Sequence, residues 1–188
     1  MIPEHYRQML GQKSVIREIF AYGMERAKVI GPENVFDYSL GNPSVPPPKE
    51  FTQAMLDLLQ NSDPLTLHGY SPSLGIESVR QAIADSLHRR FGIAYEAKHI
   101  FPTTGAAGAV AHALRAVCRP GDRVLGFAPF FSEYRPYVEG AGLRLDVVPP
   151  HVEDFQIQFD ELEKRLAPDV AALLINTPNN PSGVVYTE

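Results

Sequence analysis

The chain has 188 residues, with 17 Lys plus Arg against 22 Asp plus Glu and a formal charge of −5, a balance that argues against a nucleic-acid-binding surface as its main business. Hydrophobic residues make up 44% and charged residues 21%, which excludes disordered and fibrous classes and suits a chain able to bury a core. The longest uninterrupted apolar run, residues 170–175, is far short of the roughly 20 residues that cross a bilayer, so neither a membrane span nor a membrane partner is expected.

Residues 1–7 are mixed polar, without the apolar stretch and small-residue cleavage site of a secretory leader. The single cysteine, Cys118, cannot close an internal disulfide, and both features fit a cytoplasmic protein. The 14 Gly and 17 Pro fall in short clusters, so the chain should break into many short elements. Val15, Ile16, Ile19, Phe20, Met24, Ala27 and Val29 predict an amphipathic helix over 14–30, ended by Gly31-Pro32. Residues 35–40 then run into Gly41-Asn42-Pro43 and Pro46-Pro47-Pro48, where neither helix nor central strand can continue, so a linker is expected. A second helix over 49–60 puts Phe51, Met55, Leu58 and Leu59 on one face. A loop through residues 68–73 feeds a third, whose buried stripe is expected to be Ile76, Val79, Ile83 and Leu87.

After Phe101-Pro102-Thr103-Thr104-Gly105 an alanine-rich helix over 106–117 stops at Pro120-Gly121. A strand over 123–128, a helix over 132–139 closed by Gly140 and Gly142, and a strand over 143–148 follow. Asp160 and Glu163 have the spacing of a capping box, which predicts a helix over 160–166. Residues 170–175 form a continuous apolar strand that opens into Asn176-Thr177-Pro178-Asn179-Asn180-Pro181-Ser182-Gly183. Strands without polar alternation, separated by helices, predict an α/β fold with a mostly parallel sheet flanked by helices and buried on both faces. There is no internal repeat, and His5, His68, His88, His99, His112 and His151 show no paired ligand spacing, so no metal is expected.

In open α/β sheets ligands bind beyond the carboxyl ends of the strands, and three loops there could carry chemistry. Thr103-Thr104-Gly105-Ala106-Ala107 opens a helix with small side chains, so an anion could reach free backbone N–H groups and the positive end of the helix dipole; the same residues equally suit a helix kept slim for close packing. No Lys follows the glycine as in a Walker A loop, and Gly-x-Gly-x-x-Gly is absent, which disfavours a nucleotide-binding domain. Pro129-Phe130-Phe131 could stack on a flat heterocycle, or simply belong to the core. Asn179-Asn180-Pro181-Ser182-Gly183 could be a plain turn, or could present a neutral amide donor to the crevice.

Taken in order, the segments Leu40-Gly41-Asn42-Pro43, Tyr70-Ser71-Pro72-Ser73-Leu74-Gly75 with Arg80 on the next helix, Thr103-Thr104-Gly105-Ala106-Ala107, Pro120-Gly121-Asp122, Pro129-Phe130-Phe131-Ser132-Glu133-Tyr134 and Asn179-Asn180-Pro181-Ser182-Gly183 resemble the class I and II, fold-type I aminotransferases that use pyridoxal 5'-phosphate. The resemblance runs from about residue 36 to the end. It implies that Gly105, Ala106 and Ala107 form part of the cofactor's phosphate cup and that Phe131 stacks on the pyridine ring, with Phe130 behind it as packing. It implies further that Asn180 donates to the ring's phenolic oxygen, that Tyr70 reaches the cofactor phosphate of a neighbouring subunit, and that the backbone of Gly41 meets the substrate carboxylate. A homodimer with shared active sites follows, the N-terminal helix being an arm on the second subunit.

The same resemblance implies residues 1–45 as arm and small-domain segment and 46–188 as the first part of the large domain, truncated before the catalytic lysine. Family members continue past residue 188 and carry there the Schiff-base lysine, an aspartate for the pyridine nitrogen, a tyrosine and a carboxylate-gripping arginine. None of Lys13, Lys28, Lys49, Lys98 and Lys164 lies in the family's lysine context, so the 188 residues alone are expected to be inactive. For the whole protein, amino-group transfer between an amino acid and a 2-oxo acid is expected, with aspartate and 2-oxoglutarate as the pair. A carbon-sulfur β-lyase on the same scaffold and a non-catalytic aminotransferase-like sensor domain are the alternatives.

Overall fold

The computed structural model describes residues 2, 4, 7, 15–41, 43 and 45–187; His5, Lys13, Ser14, Asn42 and Glu188 lie outside them. Two compact units divide the chain, Met1–Tyr70 and Ser71–Glu188. In the first, helix α1 is Val15–Ile30, as its apolar spacing predicts. It stops where Gly31 takes φ 89°, a left-handed conformation that glycine adopts without steric cost. The Asn34 amide donates to the Ile30 carbonyl at 2.7 Å, satisfying one of the helix's last acceptors. Residues 35–41 hold neither helix nor strand, so the linker is where it was expected, and α2 is Lys49–Asn61. A short helix α3, Pro64–His68, was not predicted. The Asp63 carboxylate starts it by accepting the Thr66 hydroxyl and N–H, both at 2.8 Å, and those two bonds hold the Asp63 carboxyl below its usual value.

The second unit opens with α4, Glu77–Phe91, closed by Gly92 at φ 71°, whose N–H donates to His88. Its expected buried stripe needs correction, because Ile76, Val79 and Ile83 are exposed. The face that packs on the 3-10 turn Ala97–His99 carries Arg80, which bonds Ala97, and the fully buried Ala84. Helical periodicity identifies a helix and its apolar face, but which face is covered depends on what the chain brings against it.

Helix α5, Gly105–Val117, leads into β1, Arg123–Phe127; then come α6, Tyr134–Glu139, β2, Arg144–Val148, α7, Phe159–Arg165, and β3, Val170–Leu174. The strands pair in the order β2-β1-β3, all parallel, as a strand–helix–strand alternation requires. In register, Val124 of β1 faces Leu145 of β2 and Ala172 of β3. These three pack with Leu114 of α5 and Val138 of α6 into one core, so α5 and α6 cover that face. The other face carries Leu125, Asp146 and Leu173 in register, and Arg165 at the end of α7 reaches Asp146, which puts α7 there. Leu125, Val124, Val138 and Val148 are fully buried, each stabilising the fold by up to about 1.5–3 kcal/mol.

Two further expectations need correction. Helix α7 begins at Phe159 behind Gln158, with no side-chain cap, so Asp160 and Glu163 do not form a capping box. Asp160 already sits in the first turn, where its charge meets the positive end of the helix dipole. Nor is β3 buried on both faces: Leu173 is 48% exposed, and Ile175, just past the strand, 50%. The strand lies at the edge of the sheet, so its unbroken apolar run reflects a surface that no element among the described residues covers.

Candidate functional site

The topology gathers the three candidate loops at one end of the sheet. β1 and β3 are neighbours and parallel, so Pro129-Phe130-Phe131 after β1 and residues 176–180 after β3 leave the sheet side by side. Helix α5 joins β1 through only residues 118–122, and Leu114 near its end packs on Val124 at the start of β1. The helix therefore runs antiparallel to the strand, and its 13 residues, about 20 Å long, carry its N-terminus to the carboxyl end of the sheet.

At that N-terminus Gly105 takes φ 71°, with open space where a Cβ would stand. The Thr103 hydroxyl donates to the Gly105 carbonyl at 2.9 Å, and the Gly105 N–H to the Thr103 carbonyl at 2.8 Å, which closes the entry to the helix. The N–H groups of Ala106 and Ala107 have no hydrogen-bond partner among the described residues, and both residues are exposed. Two free donors, a glycine in the left-handed region and methyl side chains form a cradle that fits a phosphate group.

After β1, the Ala128–Pro129 peptide bond is cis, and both Phe130 and Phe131 are half-buried. Phe130 lies nearly parallel to Tyr134, with centroids 6.4 Å apart and 11° between planes, whereas Phe131 meets the same ring at 5.8 Å and 84°. The Tyr134 phenol is pushed up by burial and, less, by Tyr137.

After β3, two adjacent asparagines have opposite roles. Asn179 is buried; its amide donates to the Tyr186 hydroxyl at 3.0 Å, and its side-chain oxygen accepts from the Ser182 hydroxyl at 3.1 Å. Backbone bonds from Asn179 to Val184 and from Gly183 to Asn179 close the turn. Asn180 is exposed; its N–H donates to the Asn176 side chain at 2.8 Å, while its own side-chain amide has no partner among the described residues. Sequence reasoning singled out Asn180 and missed Asn179, Asn176 and Tyr186. Two adjacent asparagines between Pro178 and Pro181 offer no signal of which one faces inward, because that depends on Tyr186 folding back onto Phe127, at 6.5 Å between centroids.

Gly105, Ala106, Ala107, Phe131 and Asn180 are thus at one end of one sheet. Tyr70 and Gly41 belong to the first unit; Tyr70 is fully exposed, and nothing lies within 4 Å of where a Gly41 Cβ would stand. Among the described residues no three His, Cys, Asp or Glu are grouped to hold a metal ion, and no helix is long and apolar enough to cross a membrane.

The model of the family aminotransferase class I and II matches residues 33–188. The chain belongs to this family. It is 33% identical over 160 residues to aromatic-amino-acid aminotransferase 2 of Thermococcus litoralis, covering 84% of this chain and 40% of that protein. It is 32% identical over 155 residues to an aspartate aminotransferase of Thermotoga maritima, covering 82% and 40%. A solved amino transferase structure from Eubacterium rectale superposes with a TM-score of 0.92 at 40% identity, over 100% of this chain and 48% of that one. This family member therefore spans about half the length of the relatives it matches, and its α/β architecture with helices flanking a parallel sheet is that of fold-type I aminotransferases.

Proposed function

We propose that the whole protein is a pyridoxal-phosphate-dependent aminotransferase that moves an amino group between an amino acid and a 2-oxo acid. The observation that carries this reading is the pair of N–H groups of Ala106 and Ala107, without partners among the described residues, at the helix end that the sheet directs to its carboxyl edge. Gly105, Ala106 and Ala107 hold the cofactor phosphate through backbone donors and the helix dipole, so the anion is bound without a counter-charge that would compete for the substrate's carboxylate. The cofactor supplies an electron sink for the pair left behind when a bond at the amino acid's α-carbon breaks. Phe131 offers an aromatic face to the pyridine ring, and Phe130 supports it through Tyr134. Asn180 donates an amide N–H to the phenolic oxygen, which favours that oxygen in its ionised form. Gly41 gives its backbone to the substrate carboxylate. Tyr70, exposed and without a partner among the described residues, reaches the phosphate bound by a second copy in a homodimer with shared sites. Residues 1–45 supply the arm and a small-domain segment, and residues 46–188 the first part of the large domain. The cytoplasm is the compartment, and aspartate with 2-oxoglutarate the substrate pair.

Titrating the purified whole protein with pyridoxal phosphate, while following visible absorption, tests the cofactor; stoichiometric binding is expected, and its absence overturns the reading. Glutamate formation from 2-oxoglutarate with aspartate should exceed that with aromatic amino acids. Pyruvate release from a cysteine thioether, without glutamate formation, would assign the β-lyase instead.

A further inference from the structure

Arg80 is a half-buried cation with a task the cofactor contacts do not explain. Its Nη1–H donates to the Ala97 carbonyl at 2.9 Å, and the same carbonyl accepts the Ile100 N–H at 3.1 Å. Its Nε–H is buried without a partner among the described residues, so the guanidinium is held where it is by what it anchors and not by complete satisfaction of its own donors. The stem of Arg80 lies against Gly75: a Cβ there would stand 3.9 Å from Arg80 Cδ. The same position is 3.2 Å from Pro102 Cγ and 3.3 Å from Pro102 Cδ, with Gly75 at φ 86°. Ala97 and Pro102 bound the segment that delivers Thr103, and Thr103 closes on Gly105 through two hydrogen bonds. One side chain and one glycine thus grip both ends of the strip of backbone that aims the helix entry.

We propose that Arg80 is a positioning residue for the phosphate cradle: by tying the Ala97 carbonyl and lying beside Gly75, which itself abuts Pro102, it sets the direction of the Ala106 and Ala107 N–H groups. The inference rests on the cofactor reading above. Its signature is selectivity for the phosphate end, since a brace aimed at those two donors should leave the rest of the cofactor's contacts alone.

The test compares pyridoxal phosphate with pyridoxal, which lacks the phosphate, by absorption titration of the whole protein. In Arg80→Met, affinity for pyridoxal phosphate should fall about tenfold while affinity for pyridoxal stays the same. Arg80→Lys, which keeps a donor for the Ala97 carbonyl, should recover most of the loss. Ala84→Gly, which weakens the same helix one turn on, should lower thermal stability without changing the ratio of the two affinities. If Arg80→Met does not fold, Arg80→Gln carries the comparison. A folded Met or Gln variant that keeps the wild-type ratio, or that weakens both ligands equally, overturns the positioning role. A wild-type protein that binds both ligands equally well overturns the phosphate cradle itself, and the positioning role with it.

Discussion

The two ends of the parallel sheet are built on opposite principles. At the amino end charges are paired and shared. Arg123, the first residue of β1, donates to Asp169 at 2.8 Å, to Asp146 at 2.7 Å and to the Arg165 carbonyl at 3.0 Å, and Arg144, the first residue of β2, meets Asp169 at 2.9 Å. The Asp169 carboxyl is held below its usual value, mainly by the hydrogen bonds from Arg123. At the carboxyl end, Ala106 and Ala107 keep N–H groups, and Asn180 a side-chain amide, without partners among the described residues. Networked groups answer to one another, so the amino end holds the strands in place; groups left without partners are available to a ligand. Changes at the amino end should therefore move stability and leave cofactor affinity alone, and changes to the unpartnered groups at the carboxyl end should do the reverse.

The largest effect is expected in the core between the two ends, where neither rule applies. Leu125→Ala, at a fully buried position, should cost about 2–5 kcal/mol, measured by denaturant unfolding of the whole protein. Asn179→Ala and Asn180→Ala sharpen the comparison within a single loop. The first removes a buried, bonded amide and should cost about 1–3 kcal/mol of stability. The second should change stability by less than about 0.5 kcal/mol yet weaken pyridoxal phosphate binding and shift its absorption. Equal losses of stability would dissolve the distinction between the two asparagines.

Ala106→Ile puts a β-branched side chain beside the free donors and should lower cofactor affinity about tenfold, a loss near 1.4 kcal/mol, with little change in melting temperature. Phe131→Ala should weaken the cofactor by about 0.5–1.5 kcal/mol, whereas Phe130→Ala should act mainly on stability; identical effects on binding would assign both rings to packing. The smallest effect is the acid limb of stability. Because Asp169 titrates lower folded than unfolded, its contribution is present at neutral pH and is lost as the pH falls through the ordinary carboxylate range and then through the lowered folded value. Arg123→Met should flatten that limb in a melting-temperature profile and leave pyridoxal phosphate affinity unchanged. A fall in affinity would break the rule that separates the two ends.

Much of this was legible in the chain itself. The helices at Val15–Ile30, Lys49–Asn61 and Gly105–Val117 and the strands at Arg123–Phe127, Arg144–Val148 and Val170–Leu174 follow from periodicity and from Gly and Pro punctuation, because those signals are local. The order of six short motifs pointed to the family for the same reason: each is a local solution to a backbone demand. What only the tertiary structure decided was which groups are taken and which are free. Asn179 and Asn180 are the same residue type one position apart, and Tyr186 returning onto Phe127 buries one and leaves the other open. Arg123 and Asp169 are 46 residues apart, and they meet because β3 pairs beside β1 and not beside β2. The stripe of Ile76, Val79 and Ile83 is apolar yet exposed, because the chain lays Ala97–His99 along the Arg80 and Ala84 face. Sequence pattern sets what each segment can offer, and long-range packing decides which offer is used.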